Sequence, residues 1–161
     1  LGVGADLIQR HLERRYPSVP FIFAIEDKPL GTAGGLKYAM GYATSEKVVA
    51  MNGDDFLDID LEDFAKGNGH TIAVAHPRLP FGLVSEQNGH AVFEEKPLLS
   101  SWVNAGWYCF ERKEIMPLLP DEGSLEYDVF PNITLKVYRY EGIWYPLNSK
   151  KEVQTFEEAV L

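Results

Sequence analysis

The sequence predicts an α/β protein: a mostly parallel, mixed sheet flanked by helices. Three observations carry this. Short apolar runs at 19–25, 47–51 and 70–76 alternate with stretches of helical spacing. Those runs are apolar along most of their length, as strands covered on both faces are. The 161 residues, 45% hydrophobic and 24% charged, have the balance of a folded domain. A chain of this size buries roughly 70% of its unfolded surface and needs no disulfide or structural metal.

The elements follow in order. Val3, Leu7, Ile8 and Leu12 recur at helical spacing, with Gln9, Arg10, Glu13 and Arg14 between them, and Pro17 ends that helix. Residues 19–25, apolar, aromatic and β-branched, predict a strand. Residues 27–32 form a Pro- and Gly-bearing loop, and 33–43 a helix despite its glycines. A buried strand at 47–51 precedes a short helix at 60–66, stopped by Gly67-Asn68-Gly69. Residues 70–76 predict a third strand. Runs at 82–86 and 91–95 flank Gln87-Asn88-Gly89-His90, a hairpin signal. A strand at 102–110, short helices at 111–119 and 125–130, a strand at 135–140 and a closing helix at 149–160 complete the chain. With no repeat, linker or low-complexity tract, 1–161 reads as a single domain.

The formal charge of −9 repels nucleic acid, and no Lys/Arg stripe with interleaved aromatics offsets it. No apolar run reaches the ~18 residues of a membrane span, and the first residues lack the apolar centre of a secretion signal. Cys109 is the only cysteine, so no intrachain disulfide forms. The expectation is a cytoplasmic protein without nucleic-acid or membrane partners; a homo-oligomer is left open. The four histidines show no zinc spacing.

One stretch asks for an explanation. In Val48-Val49-Ala50-Met51-Asn52-Gly53-Asp54-Asp55-Phe56 an apolar strand runs straight into two carboxylates. Ligands of parallel α/β sheets bind at the carboxyl ends of strands. All of Asn, Gly and Asp also favour turns. On this stretch alone, turn and site are equally supported.

Three further segments tip the balance: the Glu26-Asp27-Lys28-Pro29-Leu30-Gly31-Thr32-Ala33-Gly34-Gly35 loop, Glu94-Glu95-Lys96-Pro97 at a strand end, and Asn104-Ala105-Gly106 opening a strand. With the Asn-Gly-Asp element, their order and separations resemble the sugar-1-phosphate nucleotidylyltransferases, the mannose-1-phosphate guanylyltransferase-like branch above all. The resemblance runs from the first helix to Leu161. It implies a Rossmann-like nucleotide-diphospho-sugar transferase fold. It also implies transfer of a nucleotidyl group from a nucleoside triphosphate to a sugar-1-phosphate, releasing pyrophosphate, with Mg²⁺ as cofactor. Residue by residue, it implies that Glu26 and Gly31 lie beside the base, with Thr32 and Gly34 at the helix start. Asp54 matches a magnesium ligand, a hard oxygen of the kind that ion prefers. Glu95 would bind sugar hydroxyls and Lys96 the sugar phosphate, so that Asp54 and Lys96 are the catalytic pair. Gly82, Asn104, Gly106 and Glu126 would line the sugar-phosphate site, although Ser124 beside Glu126 reads equally as a helix cap.

The pattern departs from that family in two places. The family's opening strand, glycine-rich loop and catalytic Arg have no counterpart between Leu1 and Phe21, so the chain is expected to be N-terminally incomplete by one strand–loop–helix unit. As printed it is not expected to catalyse the reaction alone. The family's second metal-binding Asp falls on Pro146, which carries no ligand atom. Asp55, Asp58 and Asp128 are the stand-ins to consider; Asp55 itself matches no ligand position and is expected to face solvent. Two other readings follow: a catalytically silent nucleotide-sugar-binding or regulatory homologue, and a glycosyltransferase with Asp58-Ile59-Asp60 as its Asp-x-Asp metal site. That triplet reads more readily as a cap for the next helix.

Overall fold

In the computed structural model, residues 1–160 are described. In chain order the elements are α1 (Ala5–Arg15), α2 (Gly31–Met40), β1 (Lys47–Met51), β2 (Asp55–Phe56), α3 (Leu61–Phe64), β3 (His70–Ala75), β4 (Leu83–Gln87), β5 (His90–Glu94), β6 (Val103–Glu111), α4 (Arg112–Ile115), β7 (Leu135–Arg139), β8 (Tyr145–Pro146) and α5 (Lys150–Val160). A π-helical turn spans Leu125–Val129. This is a mixed α/β fold with a central sheet ordered β1-β6-β3-β7. The chain forms two compact units, Leu1–Val48 with Phe110–Leu135, and Val49–Cys109 with the residues from Lys136 onward.

In the first unit, α1 forms where its spacing predicts, with Asp6 in its first turn and Arg14 and Arg15 in its last, each favourable to the helix dipole. It stops before Pro17, as a helix preceding proline should. Its apolar stripe, however, stays in solvent: Val3 and Leu7 are exposed, and only Ala5 is buried. The expected strand at 19–25 does not form. Its composition favours extended backbone, but a strand is held by a ladder. Among the described residues only Leu1 supplies one, its amine donating to the Ala24 carbonyl at 2.6 Å and its carbonyl accepting from Glu26 N at 2.8 Å. Ile22 is accordingly left exposed.

The second unit holds most of the sheet. Ala73 and Ala75 on β3, with Ala105 and Cys109 on β6, make a floor of small side chains. Leu57 and Phe64 close over it, with Trp107, Tyr138, Tyr140 and Trp144 packed around them. Small residues here make room for large rings, the size complementarity a dense core requires. The mixed character of the sheet shows at β6, which runs antiparallel to β3. Between the pairs Ile72–Tyr108 and Val74–Asn104 the register shifts: Ala73 alone on β3 faces Ala105, Gly106 and Trp107 on β6. Bulges of this kind re-aim side chains at the end of a sheet.

Asp60 caps α3, its carboxylate accepting from Glu62 N at 2.9 Å and Asp63 N at 3.1 Å. The Asp58-Ile59-Asp60 triplet is thus a helix start. The hairpin β4–β5 turns at Asn88 and Gly89, with φ of 53° and 79°, the positive pair a type I′ turn needs. Missing from the sequence reading is the two-residue ribbon β2–β8, in which Asp55 pairs with Pro146 and Phe56 with Tyr145. Phe156 of α5 covers it, its ring 4.7 Å from Phe56 and 5.1 Å from Tyr145 between centroids.

Phe64 is fully buried and meets Tyr138 edge-on at 5.2 Å. Phe64→Ala should lower unfolding free energy by about 3–5 kcal/mol, measured by urea denaturation; a loss under about 1 kcal/mol would contradict the packing described.

Candidate functional site

The loop Glu26–Gly35 is built by a close approach of two backbones inside the first unit. Gly31 has φ +74°, and a Cβ placed there would lie 2.2 Å from the Gly123 carbonyl oxygen. At Gly34 the added atom would meet the Asp121 carbonyl at 2.4 Å. Two backbone hydrogen bonds close this contact: Ala33 N donates to Gly123 O at 2.9 Å, and Gly123 N to Leu30 O at 2.9 Å. The Cβ side of both glycines is therefore occupied by the 121–123 backbone. Gly31 keeps its other side open to solvent. Glu26 turns back over the loop, accepting from Leu30 N at 3.1 Å.

Thr32 is the polar centre of this loop. Its hydroxyl accepts from Leu125 N at 2.8 Å and donates to the Glu126 carboxylate at 3.2 Å, which also accepts from Ser124 Oγ at 2.7 Å. Ser124 in turn caps the π-helical turn through Glu126 N and Tyr127 N, so the cap reading and the Glu126 contact coexist. Glu126, grouped by the sequence with the sugar phosphate, lies in the same unit as Glu26, Gly31, Thr32 and Gly34, while Asp54 of the nucleotide set lies in the other. Around the loop, lysines are ion-paired: Lys28 with Glu122 at 2.6 Å and Lys37 with Asp121 at 2.7 Å. The Lys37 ammonium, hydrogen-bonded to Asp121, holds that carboxyl below the usual aspartate range. The Glu122 carboxylate, bonded to Lys28, raises the lysine above its own.

The second unit holds the remaining residues. After β1 the chain turns through Asn52, Gly53 and Asp54 into β2. Asn52 N donates to Gly106 O at 2.8 Å, which ties the turn to the β6 bulge. Asp55 is half-buried and fully engaged, a correction to its expected solvent-facing position. Its Oδ1 accepts from Trp144 Nε1 at 2.9 Å, its Oδ2 from Asn52 Nδ2 at 3.0 Å, and its backbone carbonyl from Trp107 Nε1 at 3.1 Å. Gly106, at φ +76°, leaves the space: a Cβ there would sit 2.1 Å from Asp55 Oδ2. Asn104 braces the bulge, accepting from Gly106 N at 3.0 Å and donating to Tyr108 Oη at 2.7 Å.

Asp54 is the opposite case. Its backbone carbonyl accepts from Leu147 N at 2.6 Å, which fixes its position. Its side chain is exposed, and no described residue hydrogen-bonds its carboxylate. So of two adjacent aspartates, one is consumed in holding the turn and the other is held out by it. The other stand-ins are elsewhere. Asp58 lends its backbone N–H to Tyr140 Oη at 3.1 Å, and Asp128, in the first unit, accepts from Ser124 N at 2.7 Å. No group of three His, Cys, Asp or Glu suited to a metal occurs among the described residues.

Lys96 is exposed at φ +46°, one of two non-glycine residues with positive φ among those described. Its carbonyl accepts from Arg78 Nη1 at 3.0 Å; the sequence reading did not single out Arg78. Gly82 sits under the Phe93 ring, 2.2 Å from where its Cβ would be, with Glu95 Oε2 at 3.2 Å. The missing side chain at Gly82 thus makes room for Phe93. Asp54 follows β1 and Arg78 follows β3, while Asn104 and Gly106 open the antiparallel β6 between them. The register Ala75–Val103 and the Asn52–Gly106 bond put these residues at one end of the sheet.

Residues 4–129 match the nucleotidyl transferase family, and the chain belongs to it. It is 30% identical to the mannose-1-phosphate guanylyltransferase catalytic subunit beta of Drosophila melanogaster, covering 94% of this chain and 46% of that protein. It is 32% identical to the mannose-1-phosphate guanylyltransferase of Mycobacterium tuberculosis over 73% of this chain and 37% of that one. The chain thus spans under half the length of these relatives. Among solved structures, HddC from Yersinia pseudotuberculosis has the same fold, with a TM-score of 0.79 at 24% identity over 100% of this chain and 76% of that one. The same protein complexed with GMP-PN gives 0.77. No described helix is long and apolar enough to cross a membrane.

Gly106 and Gly53 should behave oppositely, although both flank the aspartates. Gly106→Ala, strained in φ and in contact with Asp55, should cost about 2–4 kcal/mol. Gly53→Ala, where an added Cβ meets nothing within 4 Å, should shift stability by under about 0.5 kcal/mol. Thermal or urea unfolding of both variants decides it; equal losses would contradict the bulge geometry.

Proposed function

We propose that the protein of which this chain is part transfers a nucleotidyl group from a nucleoside triphosphate to a sugar-1-phosphate. The observation that carries this reading is the Asp54 carboxylate, unpaired and exposed on a turn that Asp55 locks. Family membership and the names of the relatives support it. In the reaction a sugar phosphate oxygen attacks the α-phosphorus, the bond to the β-phosphate breaks, and pyrophosphate leaves with its electron pair. Both reactants are anions in a chain of charge −9, so the protein's work is positioning and charge compensation.

Asp54 suits Mg²⁺ that arrives with the triphosphate, since that ion takes one or two carboxylates and fills its remaining positions with phosphates and water. Held there by Asp54, the ion would supply charge stabilisation at the α-phosphate of the transferred nucleotidyl group. The unit-two residues Lys96, Glu95 and Asn104 hold the sugar phosphate; in unit one, Gly31, through the side it leaves exposed, serves the nucleotide with Thr32 and Glu26, and Gly34 seats the helix start against the Asp121 backbone. Guanosine triphosphate and mannose 1-phosphate are the first pair to test, after the names of the relatives.

In the full-length protein, Asp54→Ala should reduce Mg²⁺-dependent pyrophosphate release by on the order of a thousandfold, read in a coupled phosphate assay, with the melting temperature unchanged. Pro146, paired with Asp55 and lacking any ligand atom, favours a second reading, a nucleotide-sugar-binding homologue without turnover. Wild-type protein that binds GDP-mannose yet releases no pyrophosphate would establish it.

A further inference from the structure

The loop that carries Lys96 is fastened more firmly than an exposed strand end requires. Leu79 N donates to Pro97 O at 3.0 Å and Leu99 N to Pro77 O at 2.9 Å, around an antiparallel bridge between Arg78 and Leu98. Within this short ladder Arg78 uses one guanidinium nitrogen to hold the Lys96 carbonyl. Lys96 keeps a left-handed backbone there, a conformation that a non-glycine residue holds only where its surroundings impose it. The Arg78 fork has five N–H donors, and this bond takes one. Neither Arg78 nor Lys96 pairs with a carboxylate among the described residues, although Glu94 and Glu95 are next in sequence to Lys96. Two unpaired cations are thus tied together at the same end of the sheet as Asp54.

From this geometry we infer that Arg78 is a positioning residue for Lys96 and the second cation of one phosphate site. The guanidinium fixes the backbone from which the ammonium projects, and its free N–H groups face the same anion. A planar fork beside a point charge suits a phosphate monoester, with two fixed N–H directions and one adaptable one. This deepens the proposed function by giving the sugar phosphate a second ligand, and it rests on that reading for the identity of the sugar.

The test is an NMR titration of the 161-residue chain with inorganic phosphate and, separately, mannose 1-phosphate, following the Arg78 and Lys96 amides and the Arg78 side-chain N–H. The expected result is saturable, concerted shifts of both residues with either probe. Arg78→Ala should weaken mannose 1-phosphate by about tenfold, and Arg78→Gln by nearly as much. Lys96→Ala should be of similar size. The double variant should lose less than the product of the two single losses, as coupled residues do. Shifts at neither residue, wild-type affinity in both Arg78 variants, or strictly multiplicative losses would overturn the inference. The two readings fail separately. Wild type that binds phosphate at Arg78 and Lys96 without making pyrophosphate overturns only nucleotidyl transfer. Turnover by full-length protein with an unchanged KM for sugar phosphate in Arg78→Ala overturns only the Arg78 site.

Discussion

The second unit depends on what happens to one carboxylate. Asp55 is held from two sides by the Trp144 indole and the Asn52 amide, in space that only a glycine at 106 leaves free. A half-buried aspartate with both oxygens bonded is well placed; with either partner missing it would be a half-buried charge short of a hydrogen bond, at a cost of about 1–3 kcal/mol. The same residue continues through its backbone to Trp107 and opens the ribbon with Pro146. One side chain thereby couples the end of β1, the bulge of β6 and the late Trp144 segment. Asp54 is the beneficiary, with backbone anchored and carboxylate free.

This arrangement also gives Pro146 a physical meaning. A proline has no backbone N–H and is tolerated at the edge of a ladder. Opposite Asp55 it completes a two-residue ribbon without offering a side-chain ligand atom. The late segment fixes the turn and leaves the Asp54 carboxylate without a hydrogen-bond partner among the described residues. Under the proposed function, charge compensation then falls more heavily on Lys96 and Arg78, which pair with no carboxylate among the described residues.

Much of this was legible in the sequence. Alternating apolar runs predicted the α/β class, Asn88-Gly89 the hairpin, Asp60 a helix cap, and the four motifs the family. The roles within the motifs were less legible, because they depend on partners distant in sequence. The motif match separated Asp54 from Asp55 without a physical reason; the reason is the pair of bonds to Asp55 from Asn52, three residues back, and from Trp144, 89 residues on. Gly31, Gly34 and Gly82 were read for the base, the helix start and the sugar phosphate, and composition gives no sign that their missing side chains also admit Gly123, Asp121 and Phe93. Arg78 carried no motif, and only the bond to Lys96 marks it. Residues 19–25 had the composition of a strand, yet strand formation depends on a partner that composition cannot supply. The ribbon β2–β8 escaped because two residues are too few to show a period.

The division of labour between the adjacent aspartates is tested most directly by urea denaturation of Asp54→Asn and Asp55→Asn side by side. The account predicts that Asp55→Asn, which turns an amide toward the Asn52 or Trp144 donor, loses about 1–3 kcal/mol, while Asp54→Asn stays within about 0.5 kcal/mol of wild type. Equal stability of the two variants, or the larger loss at Asp54, would contradict it.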